Sequence, residues 1–94
     1  MLHIVNKSPA LTRSLESCVR LSRPGQSLLL IEDGIYAATS ADTVASLKHL
    51  KLYVLQPDVE ARGMKGRIVE GVAAVDYAGF VDLVAEHSSN QSWL

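Results

Sequence analysis

Four consecutive aliphatic residues, Leu28-Leu29-Leu30-Ile31, run straight into Glu32-Asp33-Gly34 and constrain this chain more than any other stretch. A strand with one wet face alternates apolar and polar side chains. A short run without alternation is a strand covered on both faces, as in parallel sheets. Four residues are too few for a helix of ordinary length. The stretch therefore predicts an interior strand between two helical layers, turning at Asp33-Gly34. Open α/β sheets place their ligands beyond the carboxyl ends of their strands, so that corner is the first place to look for function.

The rest of the chain supplies the layers. Leu2 to Asn6 reads as a first strand. Lys7-Ser8-Pro9 predicts a helix start, with Ser8 as N-cap and Pro9 at the first helical position. Leu11, Leu15, Cys18, Val19 and Ser22 share one stripe of that helix, which Pro24-Gly25 closes. Ile35 to Ala38 predicts a short helix capped by Asp33, and Ser40 or Asp42 caps a second piece through Val44 and Leu47. Leu50 to Leu55 is a third apolar strand, and Asp58 to Arg62 a short helix ended by Gly63. A short edge strand around Ile68-Val69 and a strand from Val72 to Val75 follow. Asp76 caps a final helix, Tyr77 to His87, with Tyr77, Phe80, Val81 and Val84 facing inward. Ser88 to Leu94 reads as a polar tail until it ends in Trp93-Leu94. Strands alternating with helices predict one α/β domain over residues 1–94, a three-layer α/β/α arrangement around a mostly parallel sheet of about five strands.

Composition bounds what such a domain does. A chain of 94 residues buries a modest core, yet 48% of this one is hydrophobic and only 20% charged. The surplus is aliphatic and predicts exposed apolar surface, the mark of association. The helix Tyr77 to His87 and the segment Gly34 to Ala41 are the candidate contact surfaces. Net charge is -1, and Arg13, Arg20 and Arg23, with Lys7 nearby, form the one basic cluster. Nucleic-acid binders carry a broader basic stripe, so direct nucleic-acid binding is not expected. No apolar run approaches the roughly 18–20 residues that cross a bilayer. Met1 to Val5 enters a strand without a signal-peptide pattern, so a cytoplasmic location is expected.

Several chemistries are poorly supported. The turn Asn6-Lys7-Ser8-Pro9 lacks the glycines of a phosphate loop, and no cofactor is expected. His3 reads as a packed or edge residue, His49 as exposed, and His87 as a helix-end residue whose charge suits the dipole. None is tied by spacing to a nucleophile. Glu32, Asp33, Asp58 and Asp76 fall at or just beyond the carboxyl ends of predicted strands, either as an acid–base rim or as caps and solvated groups. A single cysteine, Cys18, excludes an internal disulfide and a cysteine-based metal site. It lies late in a helix, where the dipole disfavours a thiolate, and reads as a core or interface residue unless a partner supplies positive charge.

Leu2-His3-Ile4-Val5-Asn6-Lys7-Ser8-Pro9, the run Leu28 to Ala38, Lys51-Leu52-Tyr53-Val54-Leu55 with Asp58 and Ala61-Arg62-Gly63 resemble the TusB/DsrH family of sulfur-relay proteins. So do Val75-Asp76-Tyr77, Phe80-Val81 and Trp93. The resemblance covers almost the whole chain and implies a DsrE-like fold. It also implies a place in a heterohexamer with two paralogous kinds of subunit, TusC/DsrF-like and TusD/DsrE-like. Such complexes pass persulfide sulfur between cysteines towards a TusE/DsrC-like acceptor, for wobble-uridine 2-thiolation of tRNA or for dissimilatory sulfur oxidation. The principal sulfur-accepting cysteine belongs to a companion subunit. Ser14-Leu15-Glu16-Ser17-Cys18 resembles the DsrH branch, which makes Cys18 a candidate accessory persulfide carrier. The alternatives are an autonomous cysteine sulfurtransferase using Cys18, a non-catalytic structural subunit, and a flavodoxin-like nucleotide module.

Overall fold

A computed structural model describes residues 1–93 of the chain; Leu94, the last residue of the expected tail, lies outside them. Five strands form one sheet: β1 (Leu2–Val5), β2 (Ser27–Leu30), β3 (Lys51–Leu55), β4 (Ala73–Val75) and β5 (Asn90–Trp93). Their order is β4-β3-β2-β1-β5, and every pairing is parallel. All four residues of β2 are buried, as the unbroken run requires of a strand with neighbours on both sides. Burying a leucine side chain contributes about 1.5–3 kcal/mol, so Leu28, Leu29 and Leu30 anchor the domain.

The strand order dictates how the faces are covered. Steps from β1 to β2, β3 and β4 all run one way across the sheet, and right-handed crossovers put their connections on one face. The return from β4 to β5 runs the other way and puts its helix on the opposite face. On the first face, α1 (Ser14–Leu21), a 3-10 segment (Glu32–Thr39), α2 (Ala41–Ser46) and α3 (Gln56–Ala61) supply Leu15, Cys18, Ile35, Val44 and Val59. These pack on Val5, Leu28, Leu30, Leu52 and Val54. On the second face only α4 (Tyr77–Glu86) is available, and Leu83 and Phe80 meet Leu2 and Leu29 there. The fold is α/β/α with unequal outer layers.

Local signals succeed where nothing competes for them. Ser40 caps α2 by accepting from the Thr43 N–H (3.3 Å), and Asp76 caps α4 by accepting from the Gly79 N–H (2.8 Å). Other expectations are corrected. Ser8-Pro9 does not start α1: the Ser8 carbonyl accepts from Leu11 and Thr12 N–H in a separate turn, and the helix begins at Ser14 without a side-chain cap. Leu11 consequently leaves the apolar stripe and stands 82% exposed. Asp33 does not cap the following segment, because Arg62 holds its carboxylate at 3.0 Å. Ile68-Val69 forms no strand; the Val69 N–H instead donates to Ala38 O (2.8 Å). The fifth strand is the polar tail, which pairs with β1 in the register Leu2–Asn90 to Val5–Trp93. Tyr77 and Val81 point outward, at 61% and 65% exposure, and Val84 is also exposed.

Candidate functional site

Cys18 sits in the second turn of α1, and its side chain faces the sheet. It is 0% exposed, enclosed in the cluster that includes Val5, Leu15, Leu28 and Leu30. Burial without a charged partner disfavours the thiolate and pushes the thiol up to about 11. A persulfide relay needs a nucleophilic, reachable thiolate. In this conformation Cys18 is neither. What α1 does have is a weak beginning, with Arg13 at the N-cap position making no side-chain cap.

The four carboxylates divide between two places. Glu32, Asp33 and Asp58 gather beyond β2 and β3. The Asp58 Oδ2 accepts from the Glu32 N–H at 2.6 Å, and Arg62 pairs with Asp33 at 3.0 Å and approaches Asp58 at 4.0 Å. Glu32 takes a left-handed φ of 49°, and the Asp58 contact holds it there. Gly34 follows so closely over β1 that a Cβ would collide with the Val5 carbonyl. Asp76 stands apart, at the start of α4. The rim is therefore a structural corner in which Asp33 pairs with Arg62 and Asp58 holds the Glu32 backbone. Among the described residues no group of His, Cys, Asp and Glu could hold a metal ion.

The sheet order also moves the expected crevice. The direction in which successive strands are added reverses between β1 and β5, so the switch point lies beyond the end of β1, at Asn6-Lys7-Ser8. Asn6 Oδ1 is buried there without a hydrogen bond among the described residues. The histidines are held structurally. His3, buried at 2% exposure, accepts at Nδ1 from Trp93 Nε1–H (3.1 Å), which leaves Nε2–H to donate to Gln26 Oε1 (2.7 Å). His49 bonds Ser22 Oγ at 3.0 Å, and His87 Nδ1–H donates to Leu83 O at 2.6 Å. Sequence reasoning missed the His3–Trp93 pair because it read Ser88 to Leu94 as a polar tail and assigned no strand there; the lone tryptophan in a polar segment was the available signal.

Apolar surface also remains open. A groove of about 730 Å³ runs between the Pro9–Arg13 turn, α1 and α2, floored by Leu15, Val19 and Leu47 and edged by Arg13 and Arg20. On the other layer α4 exposes Tyr77, Val81 and Val84. The second expected contact segment is corrected: Gly34, Ile35, Ala37 and Ala38 lie in the chain's own core.

Comparison with known proteins adds a specific result. The family described as DsrH like protein matches residues 7–90. Protein TusB of Escherichia coli O81 is 40% identical over 96 aligned positions, covering 99% of this chain and all of that protein. Protein TusB of Shigella flexneri is 38% identical with the same coverage. The crystal structure of the ychN protein from E. coli superimposes with a TM-score of 0.79 over 97% of each chain at 15% identity, a likeness of fold alone.

Proposed function

The chain belongs to the TusB/DsrH family, and from that membership we propose that it is a sulfur-relay subunit serving tRNA 2-thiolation, contributing structure rather than the principal sulfur-carrying thiol. The observation that carries this reading is full-length similarity to TusB proteins combined with a lone cysteine sealed in the core. The relatives' name favours the tRNA branch over the sulfur-oxidation branch towards which Cys18 pointed. A chain without an accessible nucleophile contributes by shaping an assembly, with TusC/DsrF-like and TusD/DsrE-like subunits carrying the sulfur towards a TusE/DsrC-like acceptor in the cytoplasm. No described helix is long and apolar enough to cross a membrane.

Deletion of the gene tests it. Nucleoside analysis of tRNA is expected to show loss of wobble 2-thiouridine, restored equally by the wild-type chain and by Cys18→Ser. Unchanged 2-thiouridine in the deletion strain would refute the reading. Arg13 at the N-cap of α1 makes no side-chain cap, which favours a second reading in which α1 lifts and the Cys18 thiolate takes the outer sulfur of a donor persulfide, releasing the donor's thiolate, as accessory carrier. That reading requires Cys18→Ser to restore little or no 2-thiouridine. An autonomous sulfurtransferase is the weaker form of it, requiring turnover by the isolated chain.

A further inference from the structure

The three histidines of this chain differ in what their ring nitrogens do. The Ser22 hydroxyl donates to Val19 O (3.0 Å), so its Oγ accepts from His49 Nε2–H (3.0 Å). His87 also donates, from Nδ1–H to Leu83 O (2.6 Å). A second ring proton leaves both bonds in place. His3 is different, because its Nδ1 must accept: the Trp93 indole is a donor only, and its Nε1–H points at that nitrogen (3.1 Å). The other side of the ring is fixed as well. The Arg23 backbone N–H donates to Gln26 Oε1 (2.9 Å), which identifies that atom as the amide oxygen and the acceptor for His3 Nε2–H (2.7 Å). Neutral imidazole with its proton on Nε2 is the one form of His3 that satisfies both partners.

Little around His3 compensates a positive charge. The residue is buried, opposite Leu28 of β2 and Gln91 of β5. The titratable and charged groups of α1 are Glu16, Cys18 and Arg20; Glu16 and Arg20 are exposed, and Cys18 lies in the apolar cluster. The neighbouring turns add Arg23, which is exposed, and His49, which is tied to Ser22. The strands add the Met1 amine and Lys51, both on exposed residues. Among the described residues none of these hydrogen-bonds or ion-pairs with His3. The two rings are tilted at 34° with centroids 6.1 Å apart, and the indole turns its N–H edge, the positive rim, towards Nδ1. A cation there gains nothing from the negative ring face.

We propose that the His3–Trp93 bond is a proton-sensitive latch, which holds β5 on the sheet at neutral pH and releases it in mild acid. β5 is an edge strand paired only with β1. Asn90, Gln91 and Ser92 are exposed, and Trp93 is its one apolar anchor in the core. A solvent proton on Nδ1 removes the acceptor and sets two donors face to face in a site closed to water. Release solvates both groups and uncovers the edge of β1, down to Val5 beside the switch point. The released state binds a proton that the latched state excludes, so the latch strengthens as pH rises and fails as pH falls. A solvated imidazole takes up its proton near about pH 6.5, and at pH 5 the charged form leads about thirtyfold. The release equilibrium moves by the same factor. The device stands whether or not the chain joins a relay assembly.

The test compares the full chain at pH 7.5 and pH 5. Nitrogen-15 NMR at the higher pH is expected to find His3 neutral, with its proton on Nε2. Amide protection factors along β5 are expected to fall at least about tenfold at pH 5 while those of β2 hold. The emission of Trp93, the only tryptophan, is expected to shift to the red in step. His3→Gln is expected to abolish this pH dependence. Should that variant fail to fold, Trp93→Phe supplies the check, with β5 protection already lowered about tenfold at pH 7.5. A proton on Nδ1 at pH 7.5, unchanged β5 protection at pH 5, or β2 protection lost together with that of β5 overturns the proposal. So does a pH dependence that survives His3→Gln, or a Trp93→Phe chain that protects β5 as the wild type does.

Discussion

The Cys18 thiol makes a kinetic prediction that separates the two roles of this chain. Its environment is apolar, and burial raises its pKa from 9.0 to about 11. At pH 8 a group with the lower value is about one-tenth thiolate, and one with the higher value about one-thousandth. Alkylation of the native chain by iodoacetamide is therefore expected to be at least about a hundredfold slower than in denaturant, before any cost of opening α1 is added. The native rate is expected to climb with pH to about 11, while the unfolded rate levels off near 9. The same shift has a thermodynamic consequence. The folded state holds the proton more tightly, so its contribution is complete below pH 9 and is lost as pH rises from about 9 to 11. Two units correspond to about 2–3 kcal/mol, and Cys18→Ala should abolish that part of the pH dependence. A native rate within a few-fold of the unfolded one, levelling near pH 9, would show that Cys18 is open and would refute the buried-thiol reasoning.

Three substitutions probe the scaffold. Gly34→Ala forces a Cβ against the Val5 carbonyl and should cost about 3 kcal/mol or more, seen as a melting temperature lower by about 10 °C or more. Trp93→Phe removes the donor to His3 Nδ1 and should cost about 1–2 kcal/mol, with faster amide exchange along β5. Glu32→Gly relieves a left-handed φ of 49° and should stabilise by up to about 1 kcal/mol in chemical denaturation, provided the Asp58 contact to the backbone N–H persists.

The sequence exposed the interior of this fold better than its margins. β1, β2 and β3 are apolar because both faces are covered, and the run Leu28 to Ile31 announced that directly. β5 was not legible, because an edge strand with Asn90 and Ser92 on a thinly covered face needs little apolar content; its Trp93 reaches the better-covered face. The Ser8-Pro9 start was a sound local signal that a tertiary turn diverted. Asp33 was a plausible cap that Arg62, 29 positions away, recruited instead. Inward positions on α4 were misassigned for a similar reason. An apolar helix reads as buried on every apolar side, but α4 alone covers the second face and has a single buried row to offer, centred on Leu83. Cys18 was located correctly on its helix stripe, but its depth depends on packing that no local pattern encodes.

The central claim is that this chain belongs to a sulfur-transferring assembly without being its principal carrier. Intact-mass analysis of the assembled complex after incubation with a persulfide donor tests it most directly. The account predicts a gain of one sulfur atom on a companion subunit and an unchanged mass for this chain. A sulfur gain on this chain that disappears in Cys18→Ser, with none on its companions, would contradict it.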